Sequence, residues 1–473
     1  MNFEPIIGLE THVELLTKSK IFCSCENSFG GEPNSKCCEV CMGHPGALPH
    51  LNHEVVLFGA MAGLSFGSEI NNYSYMARKN YIYPDLPKAY QITQGEVPLC
   101  IGGSVTLTDG RRIRIERIHI EEDAGKLIKK DGEFLIDYNR AGVPLIEIVT
   151  KPDFETGEEV AEYLTDLALT MKRLGISDCK MQEGSLRCDV NISLKDKVTG
   201  KISERVEIKN VNSFSFIKKA IDYEAKRLAS MLEEGKEIVR ETRRFNSETG
   251  VTEAMRGKES ASDYRYFAEP DIPSVYISDR EISALKENLP PLPREKKMHY
   301  ASFGVSMEDA FIISKYKALS LYFDSLLSGY GDAVHLSKII LSSAFKFVDE
   351  ETRGNGEILP TAPDVLYVLS LMAEGKIEKR FDKKIFDKMF EERKPFSELF
   401  NEEDFAPISD DELIKITENV IIGNEKAISD FLSGKEKAIA PLIGKIMKET
   451  KGRADAKKAE EALKEIICSR YKS

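Results

Sequence analysis

The order of apolar and polar residues divides the chain into a strand-rich first part and a helical remainder. Up to about residue 290, short segments alternate apolar and polar residues, among them IIGLETHVEL, RIRIERIHI, PLIEIV, LRCDVNISL and RVEIKN. A period of two is typical of strands that bury one face. Helical patterns interrupt the strands without a regular βαβ rhythm, so the sequence predicts an α+β fold built on a largely antiparallel sheet.

Two helices are predicted inside the strand-rich part. The first begins at Thr156, with Glu159 at capping-box spacing, and ends at Gly175. Its apolar residues share one stripe: Val160, Tyr163, Leu164, Leu167, Met171 and Leu174. The second is expected from about Ser215 to Glu234.

Two breaks in the pattern predict three domains. A Pro-rich, charged segment at 288–297 is typical of a linker, and a second break falls near Pro407, before a helix start with Ser409 or Asp410 as its cap. The predicted domains are a sheet domain at 1–293, a helical domain at 294–407 and a small helical tail at 408–473.

Composition excludes several classes of protein. The 473 residues are 42% hydrophobic and 30% charged, which is typical of a globular rather than a disordered chain. The net charge of −12 argues against nonspecific nucleic-acid binding by the whole surface, although it leaves room for a local basic patch. No apolar run reaches the roughly 18 residues of a membrane span, and the N-terminus lacks signal-peptide features, so a cytoplasmic protein without membrane contact is expected.

Five of the nine cysteines crowd into residues 23–41. The pairs Cys23-x-Cys25 and Cys38-x-x-Cys41 have the spacing of a tetrahedral thiolate zinc site, with Cys37 as a spare neighbour. The alternative is a set of free thiols. We favour a structural zinc ion, because four thiolates would leave no open position for catalysis.

The familiar nucleotide-binding and nucleophile motifs do not account for this chain. Neither G-x-x-x-x-G-K-[ST] nor G-x-G-x-x-G occurs. A G-x-S-x-G string at 63–67 follows a helical rather than a strand pattern, so it is interpreted as a helix C-terminus and not as a nucleophile elbow.

The polar faces of the predicted strands carry the candidate chemistry. In the first strand Glu10, His12 and Glu14 share one face, and Glu147 interrupts an otherwise apolar strand. Further polar groups lie at Glu121, Glu122 and Asp123, at Arg187, Asp189 and Asn191, and at Arg205, Glu207 and Lys209. Such a face is either simply exposed to solvent or a site for a divalent cation and phosphate. The apolar neighbours of Glu147 favour the second interpretation, because an isolated carboxylate in such surroundings is costly.

Ten stretches together resemble a known family. They are IGLETHVEL, FGGEPNSK, PGALPHLN, RKNYIYPDLPKAYQITQ, HIEEDAGK, DYNRAGVPLIEIVTKPD, MQEGSLRCDVNIS, EIKNVNSF, ETRRF and DYRYFAEPD, and GKIMKETKGRAD adds a match in the tail. In this order they are similar to the GatB/GatE family, the B subunits of aspartyl/glutamyl-tRNA amidotransferases. The match is weaker between about residues 300 and 405.

The resemblance implies a fold and an activity. The sheet domain would be a cradle like the catalytic fold of glutamine synthetase and guanido kinases, followed by a helical domain and a YqeY-like tail that hold tRNA. The cradle would use ATP to phosphorylate the side-chain carboxylate of glutamate on tRNA(Gln) or aspartate on tRNA(Asn). Ammonia would come from an amidase partner, the A subunit, and a small C subunit would join the other two into a heterotrimer.

The resemblance also implies site residues. A magnesium ion would be held by Glu10, His12, Glu122 and Glu147, with Glu121 as an alternative to Glu122. Lys79, Arg140 and Lys209 are candidate clamps for phosphate or carboxylate, and Arg187 is a further candidate contact to ATP. The four cysteines would match the zinc-carrying members.

The tail is expected to bind tRNA. From residue 435 to the end there are eleven Lys and Arg against six Asp and Glu, in contrast to the acidic remainder. Lys445, Lys448, Lys451 and Arg453 cluster near two glycines. The alternative interpretation is an ordinary solvated basic helix face.

Two rival functions stay open at the level of sequence. One is a free-standing ligase that aminates a small carboxylic acid without tRNA. The other is a scaffold that binds tRNA without ATP turnover. Carboxylates and cations on several strands favour an enzyme, and the choice between Glu-tRNA and Asp-tRNA as substrate is left undecided.

Overall fold

The computed structural model describes residues 2–209, 211–255 and 264–471. Asn210 of the EIKNVNSF stretch and the first residue of DYRYFAEPD lie outside the described residues. The chain forms two compact units, Met1–Pro293 and Arg294–Ser473.

The first unit is built on one large sheet of thirteen strands. The strands of this unit are β1 Phe3–Glu14, β2 Glu69–Ile70, β3 Tyr73–Ser74, β4 Ala77–Asn80, β5 Tyr90–Thr93, β6 Cys100–Ile101, β7 Ser104–Thr106, β8 Arg112–Glu122, β9 Lys126–Lys130, β10 Glu133–Asp137, β11 Pro144–Thr150, β12 Leu186–Asp196, β13 Val206–Lys209, β14 Glu241–Asn246, β15 Val251–Ala254, β16 Phe267–Ala268 and β17 Val275–Tyr276. Described strand pairs are antiparallel except β13 with β14, which confirms the predicted sheet type. The main path of the large sheet runs β15-β14-β13-β12-β1-β11-β8-β5-β4-β16, and β2, β6 and β7 join at the side. The other four strands form two separate pairs, β9 with β10 and β3 with β17.

Helices cover the apolar face of this sheet. They are α1 His53–Ser65, α2 Gly157–Leu174 and α3 Phe214–Glu233, and α4 Asp279–Glu287 packs against α1. In β1 the alternating residues Ile7, Leu9 and Val13 are buried in one core together with Val56 of α1 and Leu164 of α2. The polar positions of β1 consequently lie on the opposite face of the sheet.

The predicted helix ends are largely confirmed. Thr156 caps α2 by accepting from the Glu159 amide, and Gly175 ends the helix in the left-handed conformation. A complete capping box would also have the Thr156 amide donate to the Glu159 carboxylate. In the described structure this carboxylate accepts from the Glu155 amide instead. Ser65 of the G-x-S-x-G string is the last residue of α1, as its helical interpretation predicted.

The second unit is helical. After α5 Pro293–Ser302, which begins inside the segment predicted as a linker, come α6 Met307–Lys315, α7 Lys317–Gly329, α8 Ala333–Ile339, α9 Phe345–Phe347, α10 Glu350–Asn355, α11 Ala362–Ala373, α12 Asp382–Glu392, α13 Phe396–Leu399, α14 Asp410–Ile421, α15 Glu425–Leu432, α16 Ala440–Glu449 and α17 Ala456–Tyr471. Ser409, one of the two predicted capping residues, caps α14 by accepting from the Glu412 amide. Separate hydrophobic clusters lie before and after residue 407, and the division into a middle domain and a tail stays a prediction.

None of the helices in the described ranges combines the length and the apolar character that a bilayer span needs.

Candidate active site

Four central strands bring polar side chains from distant parts of the sequence to one face of the sheet. His12 of β1 lies opposite Glu147 of β11 on one side and opposite Arg187 of β12 on the other. Glu147 in turn lies opposite His119 of β8. The register of these pairs concentrates carboxylates and imidazoles at the centre of the sheet.

Three of these side chains form a compact group of possible metal ligands. His12 Nε2 lies 3.5 Å from a Glu121 oxygen and 3.6 Å from a Glu147 oxygen. An octahedral ion with bonds of about 2.1 Å places neighbouring ligands roughly 3.0 Å apart and opposite ligands roughly 4.2 Å apart. The observed separations are somewhat longer than the value for neighbouring ligands, and the ligand atoms of all three residues lie within 4.8 Å of one another. The group can therefore close around a divalent cation, and its two carboxylates suit magnesium.

His119 is a member of this centre that the sequence interpretation missed. Its Nε2 lies 3.2 Å from Glu147 and 3.8 Å from Glu121, and the side chain is almost fully buried. Burial alone would lower the pKa of His119, but the carboxylates of Glu147 and Glu121 outweigh it and raise the pKa to about 9. The available signal was its position two residues before Glu121, on the same face of β8.

The two glutamates of HIEEDAGK, which were predicted as alternative ligands, lie in different surroundings. Glu121 joins His12 and Glu147, whereas Glu122 points to the opposite face of β8. There the Glu122 carboxylate pairs with Lys88 and accepts from the Ile92 amide at 2.9 Å. Burial raises the pKa of Glu122, and Lys88 only partly offsets it. Period-two alternation at a strand end keeps these neighbours apart.

Glu10 lies on the same face of the sheet but outside the compact group. Its carboxylate accepts from the Asn191 amide at 3.0 Å. Burial raises the pKa of Glu10, and the nearby carboxylates of Glu147 and Asp189 raise it further. A nearby cation would relieve this repulsion, so Glu10 is suited to an outer position around a metal.

Two cavities meet at the centre. One of about 870 Å³ and another of about 780 Å³ share five lining residues, His12, Lys79, Glu121, Asp189 and Lys209. The first is bordered by Arg140 and Arg187, and the second by Glu10, His119, Glu147 and an aromatic wall of Tyr75, Tyr266 and Phe267. Two ligand groups can therefore approach one cation from two sides.

Lys79 and Lys209 stand where the cavities join. The Lys79 ammonium lies 4.9 Å from the centre of the Tyr264 ring, and Glu121 and Glu147 raise the pKa of Lys79 against the effect of burial. Lys209 contacts Asp189 at 2.8 Å and Glu207 at 3.0 Å. Both amines are thus kept as cations next to the candidate metal ligands.

The two predicted arginines share one anchor in the first cavity. Asp123 contacts Arg187 at 2.6 Å and Arg140 at 3.5 Å. Arg140 also donates to the carbonyl oxygens of Ala124 and Gly125, at 3.0 and 2.8 Å. Beside them, burial and Asp123 raise the pKa of Glu14 to about 7.

The four predicted zinc ligands converge. The sulfur of Cys41 lies 3.3 Å from that of Cys23, 3.8 Å from Cys25 and 3.9 Å from Cys38. Bonds of about 2.3 Å in a tetrahedral site place sulfurs about 3.8 Å apart, so the arrangement fits zinc. Cys37 instead directs its thiol to the Asn34 carbonyl.

The four predicted basic residues of the tail differ in whether their side chains already contact another side chain. Arg453 donates to Glu412 at 2.7 Å, Lys451 lies 3.3 Å from Asp404, and Lys445 donates to the Asn424 side chain at 2.9 Å. Lys448 is exposed on α16, and no ion pair of it occurs within the described ranges. Of the four, Lys448 is the most available to a ligand.

Comparison with known proteins matches nearly the whole chain. The GatB/GatE catalytic domain matches residues 5–283, and the GatB domain matches residues 321–467. The chain is 44% identical over 474 residues to the B subunit of the aspartyl/glutamyl-tRNA(Asn/Gln) amidotransferase of Thermoanaerobacter pseudethanolicus, covering 99% of this chain and 100% of that protein. The B subunits of the same name from Clostridium kluyveri and Caldicellulosiruptor saccharolyticus are 43% and 42% identical, each with 99% of both chains covered. The sheet with its carboxylate–imidazole centre thus belongs to a member of the GatB/GatE family.

Proposed function

We propose that this chain is the transamidating subunit of an aspartyl/glutamyl-tRNA(Asn/Gln) amidotransferase. In this role it phosphorylates the side-chain carboxylate of glutamate on tRNA(Gln), or of aspartate on tRNA(Asn), and then converts it to the amide. The observation that carries the proposal is the buried group of His12, Glu121 and Glu147 at the junction of two cavities, in a chain related over its full length to subunits of that name.

The chemistry explains why the site needs cations and acids rather than a nucleophilic side chain. Ammonia does not displace oxygen from a carboxylate at neutral pH. A carboxylate oxygen of the substrate attacks the γ-phosphorus of ATP, and ADP leaves. Ammonia then attacks the acyl carbon, and phosphate leaves with the former carboxylate oxygen. Phosphoryl transfer of this kind depends on alignment and charge neutralisation.

The residues divide these tasks between them. His12, Glu121 and Glu147 would hold a magnesium ion, with Glu10 at its edge, and magnesium when bound neutralises phosphate charge. Lys79 and Lys209 can hold the transferring phosphoryl oxygens where the cavities join. Arg140 and Arg187 offer planar donors for a phosphate or carboxylate in the first cavity.

Ammonia is supplied from outside this chain, because its sequence contains no Ser-rich amidase signature. We assign its supply to an amidase partner, the A subunit of the complex, joined to this chain through a small C subunit. A shielded route would protect the acyl phosphate from water.

One reconstitution separates this function from its rivals. The chain is combined with its amidase partner and the small joining subunit, together with misacylated tRNA, ATP and glutamine, and the amino acid on the tRNA is identified after hydrolysis. Glutamine or asparagine on the tRNA is expected, together with ADP. Amidation of a free acid without tRNA would instead indicate a free-standing ligase, and tRNA binding without ADP formation would indicate a scaffold.

Zinc content tests the cysteine cluster. We expect about one zinc per chain after purification without chelators, and loss of zinc when Cys41 is replaced by Ser, because the Cys41 sulfur lies within 3.9 Å of each of the other three sulfurs. Cys37→Ser is the matched control and should retain zinc. Elemental analysis that finds far less than one zinc in the wild-type chain would contradict the assignment.

The tail prediction is tested most sharply at Lys448. Replacing this exposed lysine with Ala should weaken tRNA binding several-fold and reduce the slope of log affinity against log salt by about one, as expected for one lost phosphate contact. Lys426→Ala removes another exposed lysine of the tail, on α15, and should leave the tRNA affinity and its salt slope unchanged. Equal affinity and salt slope for the wild type and the Lys448 variant would argue against a tRNA contact there.

A further inference from the structure

Lys20 is a buried cation beside the cysteine cluster. Its side chain is fully shielded from solvent, although lysine is rarely buried without a partner. The ammonium donates to the Cys41 sulfur at 3.6 Å and to the Tyr138 carbonyl at 3.3 Å. A buried ammonium is costly unless a negative charge lies close to it.

A zinc–thiolate cluster supplies that charge. Four thiolates around one Zn²⁺ carry a net charge of about −2, and Cys41 is the member that Lys20 contacts. Partners beyond the ligands orient thiolates and stabilise their charge. A metal bound by the cysteines therefore explains how the Lys20 ammonium can be buried at this position.

The same segment is fastened to the loop that carries Arg140. Asn34, in the left-handed conformation, accepts from the Tyr138 amide at 2.7 Å and donates to the Ile136 carbonyl at 3.0 Å. The backbone N–H of Asn34 donates to the Asp137 carboxylate at 3.0 Å. The Lys36 amide donates to Asn139 at 2.7 Å. The end of β10 and the loop after it are thus hydrogen-bonded at four points to the cysteine segment, which has little regular structure of its own.

We propose that Lys20 is the counter-charge of the zinc–thiolate cluster, and that through Lys20 and Asn34 the cluster supports the loop that presents Arg140 to the first cavity. Lys20 is then a positioning residue, since it acts on the candidate active site through Tyr138. The inference depends on the zinc site proposed above. It adds a dependence of residues 136–142, the end of β10 and the loop that follows it, on the metal.

The first test measures zinc affinity of the full-length chain by competition with a chromophoric chelator. Lys20→Met keeps the aliphatic stem but removes the charge, and it should weaken zinc binding about 10–100-fold. Lys18→Met, two residues earlier and exposed, is the matched control and should bind zinc as the wild type does. Unchanged affinity in the Lys20 variant would overturn the counter-charge role.

The second test follows amide hydrogen exchange in the wild-type chain before and after zinc is removed by a chelator. Exchange at Tyr138 and its neighbours should rise at least tenfold, while the central strand β12 stays protected. Asn34→Gly, which permits the left-handed backbone, should release the Tyr138 amide but retain zinc.

The outcomes separate the two levels of the proposal. A chain that contains no zinc refutes the metal site itself. A chain that binds zinc, but whose 136–142 amides exchange at the same rate with and without it, refutes the supporting role alone. Loss of protection in β12 as well would show general unfolding and would also overturn it.

Discussion

Replacing Glu121 by Gln is expected to lower tRNA-dependent ATP hydrolysis by roughly a thousandfold, whereas Glu122→Gln is expected to leave most of the activity. Glu121 is one of three side chains that can bind one cation together, and its carboxylate lies 3.5 Å from His12 Nε2. A bound metal contributes several kcal/mol to transition-state stabilisation. A loss of about 4 kcal/mol corresponds to about a thousandfold in rate. His12→Ala and Glu147→Ala should have effects of the same size.

Glu122→Gln is the matched control because the two residues are adjacent and equally buried. The Glu122 carboxylate pairs with Lys88 on the other face of the strand. Glu122→Gln should therefore lower the melting temperature of the protein but leave most of the rate of ATP hydrolysis at saturating Mg²⁺. The assay measures ADP formation with misacylated tRNA across a magnesium titration. A larger rate loss in the Glu122 variant than in the Glu121 variant would reverse the assignment of the ligand.

Replacing Glu269 by Ala is expected to destabilise the first unit by about 3–5 kcal/mol. The Glu269 side chain is fully buried and forms a paired contact with Arg78, at 2.6 Å to Nε and 2.8 Å to Nη2. Removing it leaves the Arg78 guanidinium without its principal partner. The segment that Glu269 ties to β4 includes Tyr266 and Phe267 of the second cavity, so substrate affinity should fall as well.

Asp271→Asn provides the control on the same arginine. Asp271 contacts Arg78 at 3.1 Å but is 41% exposed, and exposed ion pairs contribute only about 0–1 kcal/mol. Denaturant unfolding of the two variants should therefore differ by several kcal/mol. Similar free energies of unfolding for the two variants would mean that burial does not decide the strength of this contact.

The sequence predicted local features whose physical cause is local. The alternation in IIGLETHVEL is enough to place Ile7, Leu9 and Val13 in the core and His12 on the opposite face, because successive strand residues point to opposite sides. Capping residues such as Thr156 and Gly175 likewise act within one turn of the chain. The cysteine spacing predicted the four-sulfur group for the same reason, since each pair lies within a short segment.

The long family motifs allowed the catalytic class to be predicted, but not which side chains meet. Residues 12, 121 and 147 come together only because β1 pairs with β11 and β11 pairs with β8, in a register that spacing along the chain does not encode. The run Glu121-Glu122-Asp123 at a strand end can turn either of its first two carboxylates toward the site. The neighbouring strand β5 settles this by supplying the Ile92 amide to Glu122.

What the sequence by itself determined is the five long or central strands β1, β8, β11, β12 and β13, the helices α2 and α3, and the kinds of groups on the polar faces of those strands. The tertiary structure decided that Glu121 rather than Glu122 faces His12, that His119 joins them, and that Lys20 lies buried against the cysteines. These three facts depend on contacts between strands and loops far apart in the chain. Such contacts are set by packing and pairing of the whole sheet, which no local pattern of residues contains.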